Sequence, residues 1–584
     1  MLTRIFAVIG IIATLCILAF IGFTVYLQAE GPTEPDSIIL GLNFDHPIVE
    51  QADTSALDLA VSEDTTSLLD ILHAIDAARA DPHVKGIVAR FGTTLPKLSQ
   101  AQEIRAALAR FRKSGKFTYA FGSSYGNFGP GNAAYYLASG FENIWLQPVG
   151  VVGLTNSGLE APFIKTALAK IGVAGDFMKR EEYKSFDETF MRDDFSQPAR
   201  ENMQALIEDL SNQVAAGVAE GRGWDAARVK ELMAQGPFTA NEALKNGLVT
   251  HLGYASELKD ELKKKAGAEA KQVGLADYLN YGGGGSAKPK AHVALIYGSG
   301  LITSREVGPS NLTSGEVMTA GAIADAFNTA ADDDNIKAVI FRVDSPGGEP
   351  DASETIRAAM IHAEKKGKPV FVSMGGTAAS GGYWVAMSAD HITAEPGTIT
   401  GSIGVVAGKF VLGGLMDKIG VHWDAITTGD NAGMFSLQTP FDMTQRARMN
   451  ALLDETYQDF IKDVSDSRRI PIEKMPDIAK GRVWTGAQAQ KLGLVDDLGG
   501  YDVTFAAVRK KLVLEPEDQL AIELLPPPLT PAEKILKLLK NFGVESAFFG
   551  KIAAQLQNFE AVISPLLSGF HGPVTARAPS LLVQ

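Results

Sequence analysis

The sequence predicts an α/β protein in which one domain occurs twice in tandem, preceded by a single transmembrane helix. Three observations support this fold class. Similar blocks recur at a nearly constant spacing, short β-branched runs alternate with helical patterns, and the N-terminus carries a long uncharged stretch. The chain has 584 residues, which is enough for two domains with large cores.

Three blocks of sequence recur in the same order in the two parts of the chain. The offsets between matched blocks are about 252, 248 and 246 residues, and this near constancy indicates a duplication. The blocks of the first copy and their matches in the second are 81–91 with 333–343, 133–148 with 381–396, and 238–253 with 484–499.

Strand-like and helix-like segments alternate within each copy. In the second copy the runs AHVALIYG, KAVIFRV and KPVFVSM are predicted strands, and helical patterns follow each of them. This alternation is typical of βαβ units in a mostly parallel sheet. Sites in such sheets form where loops leave the carboxyl ends of strands, and two glycine-rich loops, DSPGGEP and GGTAAS, are predicted there.

The N-terminal segment 5–27 contains no charged residue. A helix of that length spans about 30 Å of hydrocarbon, and Arg4 before it favours a cytoplasmic N-terminus. The stretch before Ala29 matches a small-x-small cleavage site poorly, so we expect an uncleaved anchor with the remaining chain outside the cytoplasm. The alternative is a long signal peptide that is removed.

These features divide the chain into five segments. They are a cytoplasmic stub with the anchor (1–30), a first copy (36–281), a Gly/Ser/Pro linker (282–290), a second copy (291–520) and a C-terminal extension (521–584). The extension is expected to be helical and then disordered. The extension alternates apolar and basic residues, and two alternatives remain open for it: a core or oligomer contact, and a position on the membrane surface.

Composition argues against several classes of protein. The net charge of −14 disfavours nucleic-acid binding, which needs a basic face. Cys16 is the single cysteine, so the chain has no intramolecular disulfide, and the histidines show no metal-ligand spacing. We expect neither a metal nor an organic cofactor.

Ser380 lies in the glycine-rich stretch GGTAASGGYW, at the start of a predicted helix. The N–H of Gly381 could donate to the oxyanion formed when a serine attacks a carbonyl, because amides at a helix N-terminus are unpaired. A second donor would come from Gly348 or Gly347 of DSPGG, with Gly348 favoured. The competing interpretation is a glycine-rich turn with a capping serine.

A nucleophilic serine needs a base, and the repeat offers a way to find one. Ser380 aligns with Asn132 of the first copy, whereas Lys184 of the first copy aligns with Ala432 of the second. Most lysines are solvated surface residues, but a buried lysine of lowered pKa can act as a base. Reciprocal loss of this kind is expected when both copies share one site, which makes Lys184 the candidate base.

Four motifs resemble the signal peptide peptidase A family, peptidase family S49, in its long two-repeat form. They are YKSFDETF (183–190), RVDSPGGEPDASE (342–354), GGTAASGGYW (375–384) and TITGSIGVV (398–406). The resemblance implies a Clp protease/crotonase-like ββα fold, with Ser380 as nucleophile, Lys184 as general base, and Gly348 and Gly381 as oxyanion donors. Asp344 departs from the asparagine common in the family, and a carboxylate at this place would oppose the negative charge of an oxyanion unless it points away.

The resemblance also implies a biological setting. Members of the family are anchored in the bacterial inner membrane with the catalytic part in the periplasm, and they degrade remnant signal peptides and other apolar peptides. The long form assembles as a homotetramer, so this chain is expected to contribute one site. Whether Lys184 meets Ser380 of its own chain or of a neighbour is left open by the sequence.

Three other functions compete with this interpretation. GSSYG (122–126) fits the G-x-S-x-G elbow of a Ser-His-Asp hydrolase that would use Ser124. A non-catalytic membrane scaffold on a degenerate protease fold is the second, and Asp344 could mark such drift. Acyl-CoA chemistry on a crotonase fold is the third, although the hydrophobic segment 5–27 argues against a cytosolic enzyme.

Overall fold

A computed structural model describes residues 35–51, 66–127, 129–281, 288–305, 317–527 and 581–583. Within these ranges, none of the helices combines the length and the apolar character that crossing a bilayer requires. The predicted anchor at 5–27 and most of the predicted C-terminal extension lie outside the described residues.

The first copy consists of strands alternating with helices. In chain order its described elements are β1 (Ile38–Phe44), β2 (Ile48–Val49), β3 (Thr66–Ser67), α1 (Leu68–Ala80), β4 (Val84–Phe91), α2 (Leu98–Arg112), β5 (Phe117–Gly122), α3 (Asn132–Ala138), β6 (Asn143–Leu146), β7 (Val151–Val152), α4 (Lys165–Ile171), β8 (Ala174–Arg180), α5 (Glu188–Met191), α6 (Gln197–Arg222), α7 (Ala226–Gln235), β9 (Phe238–Thr239), α8 (Ala240–Lys245), β10 (His251–Leu252), α9 (Ala255–Ala266), β11 (Lys271–Gly274) and α10 (Leu275–Asn280). Its main sheet has the order β10-β6-β5-β4-β1-β11, and every pairing in it is parallel.

The second copy repeats this strand order. Its described elements are β12 (Ala291–Ser299), β13 (Leu301–Thr303), β14 (Val317–Thr319), α11 (Ala320–Asp332), β15 (Ile336–Ser345), α12 (Pro350–Lys365), β16 (Val370–Ala379), α13 (Gly381–Trp384), β17 (His391–Ala394), β18 (Ile399–Gly401), β19 (Val405–Val411), α14 (Gly413–Lys418), α15 (Met443–Arg468), a 3₁₀ turn (Ile472–Lys474), α16 (Met475–Ile478), β20 (Val483–Thr485), α17 (Gly486–Lys491), β21 (Asp497–Leu498), α18 (Tyr501–Lys511), β22 (Leu520–Leu525) and β23 (Leu581–Val583). The order β21-β17-β16-β15-β12-β22 matches the first sheet strand for strand, again with parallel pairings. The prediction of mostly parallel sheets is confirmed.

The second sheet departs from the sequence-based expectation in three places. β22 runs to Leu525, beyond residue 520, and residues 581–583 pair antiparallel with it. Disorder was expected for residues 581–583, and they are instead described as a short strand on the open edge of β22. β16 continues through the predicted glycine loop to Ala379, since its last residues pair with β18, and the helix after it spans only Gly381–Trp384.

The two copies share local details as well as strand order. Helices α6 and α15 are each 26 residues long, and each is preceded by a side-chain N-cap, Ser196 or Asp442. Helices α8 and α17 both begin at a capping box, whose threonine is Thr239 in the first copy and Thr485 in the second. The same local signals therefore place the same elements twice.

The copies are joined by a β-ribbon and by a continuous core. β8 of the first copy pairs antiparallel with β19 of the second, from Ala174 opposite Val411 to Arg180 opposite Val405. One face of the second sheet packs in the same hydrophobic cluster as the first copy, and the opposite face is covered by α11 and α12. The segment after β8 is thereby held against the second copy.

A buried charge cluster also lies between the copies. The guanidinium of Arg342 on β15 donates hydrogen bonds to Glu50 at 2.8 Å and to Glu103 at 2.6 Å, both from the first copy. It also stacks over the ring of Tyr501, 4.4 Å from the centroid. Because an unpaired buried charge is costly, these partners fix how α2 of the first copy lies against β15.

Candidate active site

Ser380 lies between the end of β16 and the start of α13. Its backbone has φ 56° and ψ −120°, a conformation that costs energy for a residue with a side chain. The strain is held in place because the Ser380 amide donates to Gly401 O at 2.8 Å, while its carbonyl accepts from the amides of Tyr383 and Trp384. Strained backbone of this kind is frequent at functional sites.

The side chain of Lys184 reaches Ser380 of the same chain. Its Nζ lies 2.9 Å from Ser380 Oγ and 3.0 Å from both the hydroxyl and the carbonyl oxygen of Ser402. Lys184 is only 6 % exposed, and burial lowers its pKa to about 7. A large fraction of this amine is therefore neutral near pH 7, which is the state that a general base requires.

Two neighbouring segments hold the Lys184 loop. Glu188 accepts hydrogen bonds from the amide and the hydroxyl of Ser196 and from Lys179, which ties the loop to the start of α6. On the other side, the amide of Tyr183 donates to Lys480 O at 3.1 Å. The lysine thus projects from a loop that is fixed at both ends.

Gly481 follows Lys480 and lies directly against the lysine backbone. It has φ +77°, and a Cβ atom there would lie 2.5 Å from Lys184 N and 2.7 Å from Lys184 Cα. A side chain at this position would therefore have to displace Lys184. The sequence analysis missed both Ser402 and Gly481. Ser402 was within reach of that analysis, since it lies in the quoted motif TITGSIGVV.

The glycines of both loops meet beside Ser380. Gly347 has φ +111°, and a Cβ atom on it would lie 2.8 Å from Gly381 N. A Cβ atom on Gly381 would in turn lie 2.9 Å from Gly348 N. The two loops therefore approach at van der Waals distance, which requires glycine in both of them.

Hydrogen bonding distinguishes the two candidate donors in DSPGG. The amide of Gly347 donates to Ser345 Oγ at 3.1 Å, so it is occupied. The amides of Gly348 and Gly381 donate no hydrogen bond to any described residue of the chain. Two adjacent unpaired amides next to a serine hydroxyl have the chemistry of an oxyanion hole.

The Asp344 side chain is engaged on the strand side of this loop. One carboxylate oxygen accepts from the amide of Thr377 at 2.9 Å, and the other forms an ion pair with Lys97 of the first copy. The carboxylate is therefore tied to β16 and to the first copy.

Ser124 has a different environment. It is buried, and its Oγ accepts a hydrogen bond from the amide of Val151 at 2.9 Å. No described hydrogen bond connects it to a histidine. Asn132, which aligns with Ser380, uses its side-chain oxygen to accept from Thr155 N at 2.9 Å, so it has a structural role at the matching place.

Comparison with known proteins gives one family and several long relatives. The model of peptidase family S49 matches residues 110–272 and 362–515, one segment in each copy. Protease 4 of Salmonella typhi is 35 % identical over 450 residues, covering 75 % of this chain and 70 % of the relative. Protease 4 of Haemophilus influenzae is 32 % identical over 458 residues, covering 75 % and 71 %. The chloroplastic serine protease SPPA of Arabidopsis thaliana is 30 % identical over 481 residues, covering 81 % and 69 %.

Proposed function

Because the chain belongs to peptidase family S49 and is a serine peptidase, we propose that Ser380 is its nucleophile and Lys184 its general base. The observation that carries this proposal is the 2.9 Å separation of Lys184 Nζ and Ser380 Oγ, with the lysine buried and its pKa lowered to about 7. A neutral amine in hydrogen-bond contact with a serine hydroxyl meets the geometric and the protonation requirement of a base.

The reaction that follows is an acyl transfer in two stages. Lys184 takes the proton of Ser380 Oγ as that oxygen attacks the scissile carbonyl, and the oxyanion accepts from the amides of Gly348 and Gly381. The C–N bond then breaks, the ammonium of Lys184 returns the proton to the leaving amine, and an ester on Ser380 remains. Lys184 then takes a proton from a water molecule that attacks the ester carbonyl. The bond between that carbon and Ser380 Oγ breaks, the ammonium of Lys184 returns the proton to Oγ, and the peptide acid leaves. Removal of one oxyanion donor typically costs about 10²–10³ in kcat.

Ser402 orients the base in this scheme. Its hydroxyl and carbonyl oxygens both accept from Lys184 Nζ at 3.0 Å, so two of the amine's hydrogen-bonding directions are fixed and the third faces Ser380. Preorganisation of this kind avoids the cost of orienting the amine during each turnover.

We further propose that the enzyme acts at a membrane on apolar peptides. The support is the uncharged segment 5–27 after Arg4, which is long enough for an anchor with the catalytic part in the periplasm. Remnant signal peptides are the proposed substrates, because the chain resembles the signal peptide peptidase A family. Cell fractionation, together with degradation of a synthetic signal peptide by membranes carrying the protein, tests this part of the proposal.

A homotetrameric ring of the Clp/crotonase type completes the proposal. Helices α4 and α14 are equivalent in the repeat, but the two ribbon strands next to them are not: β8 follows α4, whereas β19 precedes α14. The first-copy segment equivalent to β19 is 157–163, and the second-copy segment equivalent to β8 is 422–428. Neither segment forms a strand, and together they expose Leu159, Trp423 and Ile426. Head-to-tail contact between the second copy of one chain and the first copy of the next chain would cover these side chains, and repetition of such a contact closes a ring. Ile426→Asp is expected to yield smaller particles in light scattering.

Covalent labelling tests the dyad directly. A serine-directed acylating probe is expected to modify Ser380 in the wild-type protein and to lose its target in Ser380→Ala. Lys184→Ala is expected to slow labelling and peptide turnover by about 10³-fold or more, as removal of a catalytic base does in serine peptidases. Ser124→Ala is the matched control and should keep full activity. Labelling at Ser124, or turnover by Ser380→Ala, would contradict the proposal.

A further inference from the structure

Helix α2 of the first copy lies behind the strand that leads to the oxyanion loop. Its capping residue Lys97 forms an ion pair with Asp344, and Glu103, further along the same helix, pairs with Arg342. Asp344 and Arg342 are two residues apart on β15, so they project from the same face of the strand. Two oppositely charged residues of the helix, Lys97 and Glu103, therefore each face a residue of opposite charge on β15.

The glycine pair Gly375–Gly376 within β16 makes room for this contact. A Cβ atom on Gly376 would lie 2.7 Å from Cδ of Lys97, and one on Gly375 would lie 3.0 Å from Cβ of Asp344. Those distances are too short for a side chain without movement of its neighbours. The side chain of Lys97 thus crosses β16 where the strand has no side chains. The glycines of the second copy therefore make room for a lysine of the first copy.

Asp344 carries a charge in an unfavourable place for the chemistry. Its side chain is only 8 % exposed, while Lys97 is 54 % exposed. The carboxylate accepts from Thr377, which is three residues from Ser380, or about 10 Å along a strand. A unit charge at about 10 Å and an effective dielectric of about 20 changes a barrier to charge formation by roughly tenfold. Uncompensated, Asp344 would oppose the negative charge that forms at Gly348 and Gly381.

We propose that Lys97 is a positioning residue that neutralises and fixes Asp344, so that the first copy supplies a second charged group to the site in addition to Lys184. This inference rests on the proposed function, because it presupposes the oxyanion at Ser380. A buried carboxylate that loses its partner is strongly unfavourable, whereas an exposed lysine that loses its partner is solvated. Removing Lys97 should therefore lower activity more than removing the charge of Asp344.

A double-mutant cycle on the full-length protein tests this proposal with kcat and KM for an apolar peptide. Lys97→Met is expected to lower kcat about tenfold with KM unchanged within twofold, and Lys97→Arg should restore most of the loss. Asp344→Asn should stay within about threefold of wild type, because an asparagine oxygen can still accept from Thr377. In the double variant, Asp344→Asn is expected to rescue Lys97→Met to the level of Asp344→Asn alone.

A second ion pair between the copies provides the matched control. Arg110, at the far end of α2, pairs with Asp502, about 20 Å along the helix from Lys97. Asp502→Asn breaks that pair and should leave kcat unchanged, while thermal unfolding reports any general loosening of the interface. If Lys97 had only a structural role, Lys97→Met would lower the unfolding temperature, but kcat measured well below that temperature would stay within twofold of wild type.

The outcomes separate this inference from the proposed dyad. If Ser380→Ala is inactive and Lys97→Met keeps kcat within twofold of wild type, the positioning role is overturned while the dyad stands. A double variant as slow as Lys97→Met also overturns it. Turnover by Ser380→Ala would overturn both proposals, because the charge on Asp344 would then face no oxyanion.

Discussion

The first and second copies have the same framework, but different chemical groups have been kept in each. Tyr135 of the first copy donates its hydroxyl proton to Leu248 O at 2.6 Å, and Tyr383 of the second donates to Leu494 O at 3.0 Å. The two bonds are equivalent in the repeat, and each holds one of the two equivalent short helices, α3 in the first copy and α13 in the second. Packing contacts have therefore been preserved in both halves.

The residues of the site have not been preserved in this way. Ser380 is matched by Asn132, which caps a neighbouring loop, and Lys184 is matched by the exposed Ala432. Each copy lacks what the other supplies. When two copies share one site, each copy can lose the catalytic group that the other copy provides. Both copies must still keep the framework that brings the groups together.

The strongest test of this comparison mixes the two inactive variants. Lys184 and Ser380 meet within one chain, so a chain carrying Lys184→Ala cannot be rescued by one carrying Ser380→Ala. After dissociation and reassembly, mixed oligomers are expected to have less than about 0.1 % of wild-type turnover. Recovery of a substantial fraction of activity would instead mean that the copies share sites between chains. Reassembled wild-type protein is the control for the procedure.

Gly481→Ala should give the next largest effect. The new methyl group meets the backbone of Lys184, and φ +77° disfavours any side chain. A displacement of the base by about 1 Å can cost about 10²-fold in rate, so we expect kcat to fall by that order. Gly493→Ala is a suitable control, since Gly493 has the same φ of +77° but no atom nearer than 3.7 Å to the added Cβ. Equal losses in the two variants would show that backbone strain alone is responsible.

The pH dependence of kcat/KM should report the buried lysine. Because burial lowers its pKa to about 7, Lys184 is protonated and inactive as a base below that pH and neutral above it. Activity should therefore fall about tenfold per unit below pH 7 and level off above it. A midpoint near 10, the ordinary range of lysine, would contradict the burial argument. The same shift makes the folded protein gain stability as pH rises from about 7 to about 10, because the unfolded lysine alone still binds a proton there.

Ser402→Ala is expected to have a moderate effect. The variant removes one of the two oxygens that orient Lys184 Nζ, while the backbone oxygen of residue 402 still accepts from it. We expect kcat to fall about tenfold with little change in KM. Ser402→Thr keeps a hydroxyl and should recover part of the loss, and an unchanged kcat in Ser402→Ala would show that the backbone oxygen suffices.

Asn132→Ser should have the smallest effect on activity. It restores the nucleophile type to the first copy, but the matching lysine position is Ala432 and the DSPGG glycines are absent there. No second active site is expected, and Ser380→Ala combined with Asn132→Ser should remain inactive. Labelling of the new serine by an acylating probe would show that the first copy is closer to a working site than the comparison implies.

Much of this architecture could be predicted from the sequence, because the repeat constrains it twice. Matching blocks predicted the two sheets, and reciprocal loss selected Lys184 and Ser380, which the structure places 2.9 Å apart. The sequence already favoured Gly348 over Gly347, and the hydrogen bond from Gly347 N to Ser345 Oγ adds a physical reason that no sequence pattern indicates. The extension of β16 through its glycines was missed, since ladder pairing with β18 outweighs the weak strand propensity of glycine.

Contacts between the copies were beyond the reach of sequence patterns. Lys97 contacts Asp344, and Gly481 lies against Lys184, in each case more than a hundred positions away along the chain. Alignment of the repeat does not report such pairs, because each copy is compared with its counterpart rather than with the surface on which it packs. Asp344 was noticed as a departure, but its partner became visible only with α2 in place.

The β8–β19 ribbon also sets when activity first exists. Lys184 and Ser380 are 196 residues apart, and β19, which holds the lysine loop, is made after the serine. At about 5–20 residues per second, synthesis of the interval between them takes roughly 10–40 s. During that time the emerging first half carries the proposed base without the proposed nucleophile. A chain that stalls before Val411, the last residue of β19, therefore lacks both the proposed nucleophile and the strand that holds the lysine loop, and it is expected to have no proteolytic activity.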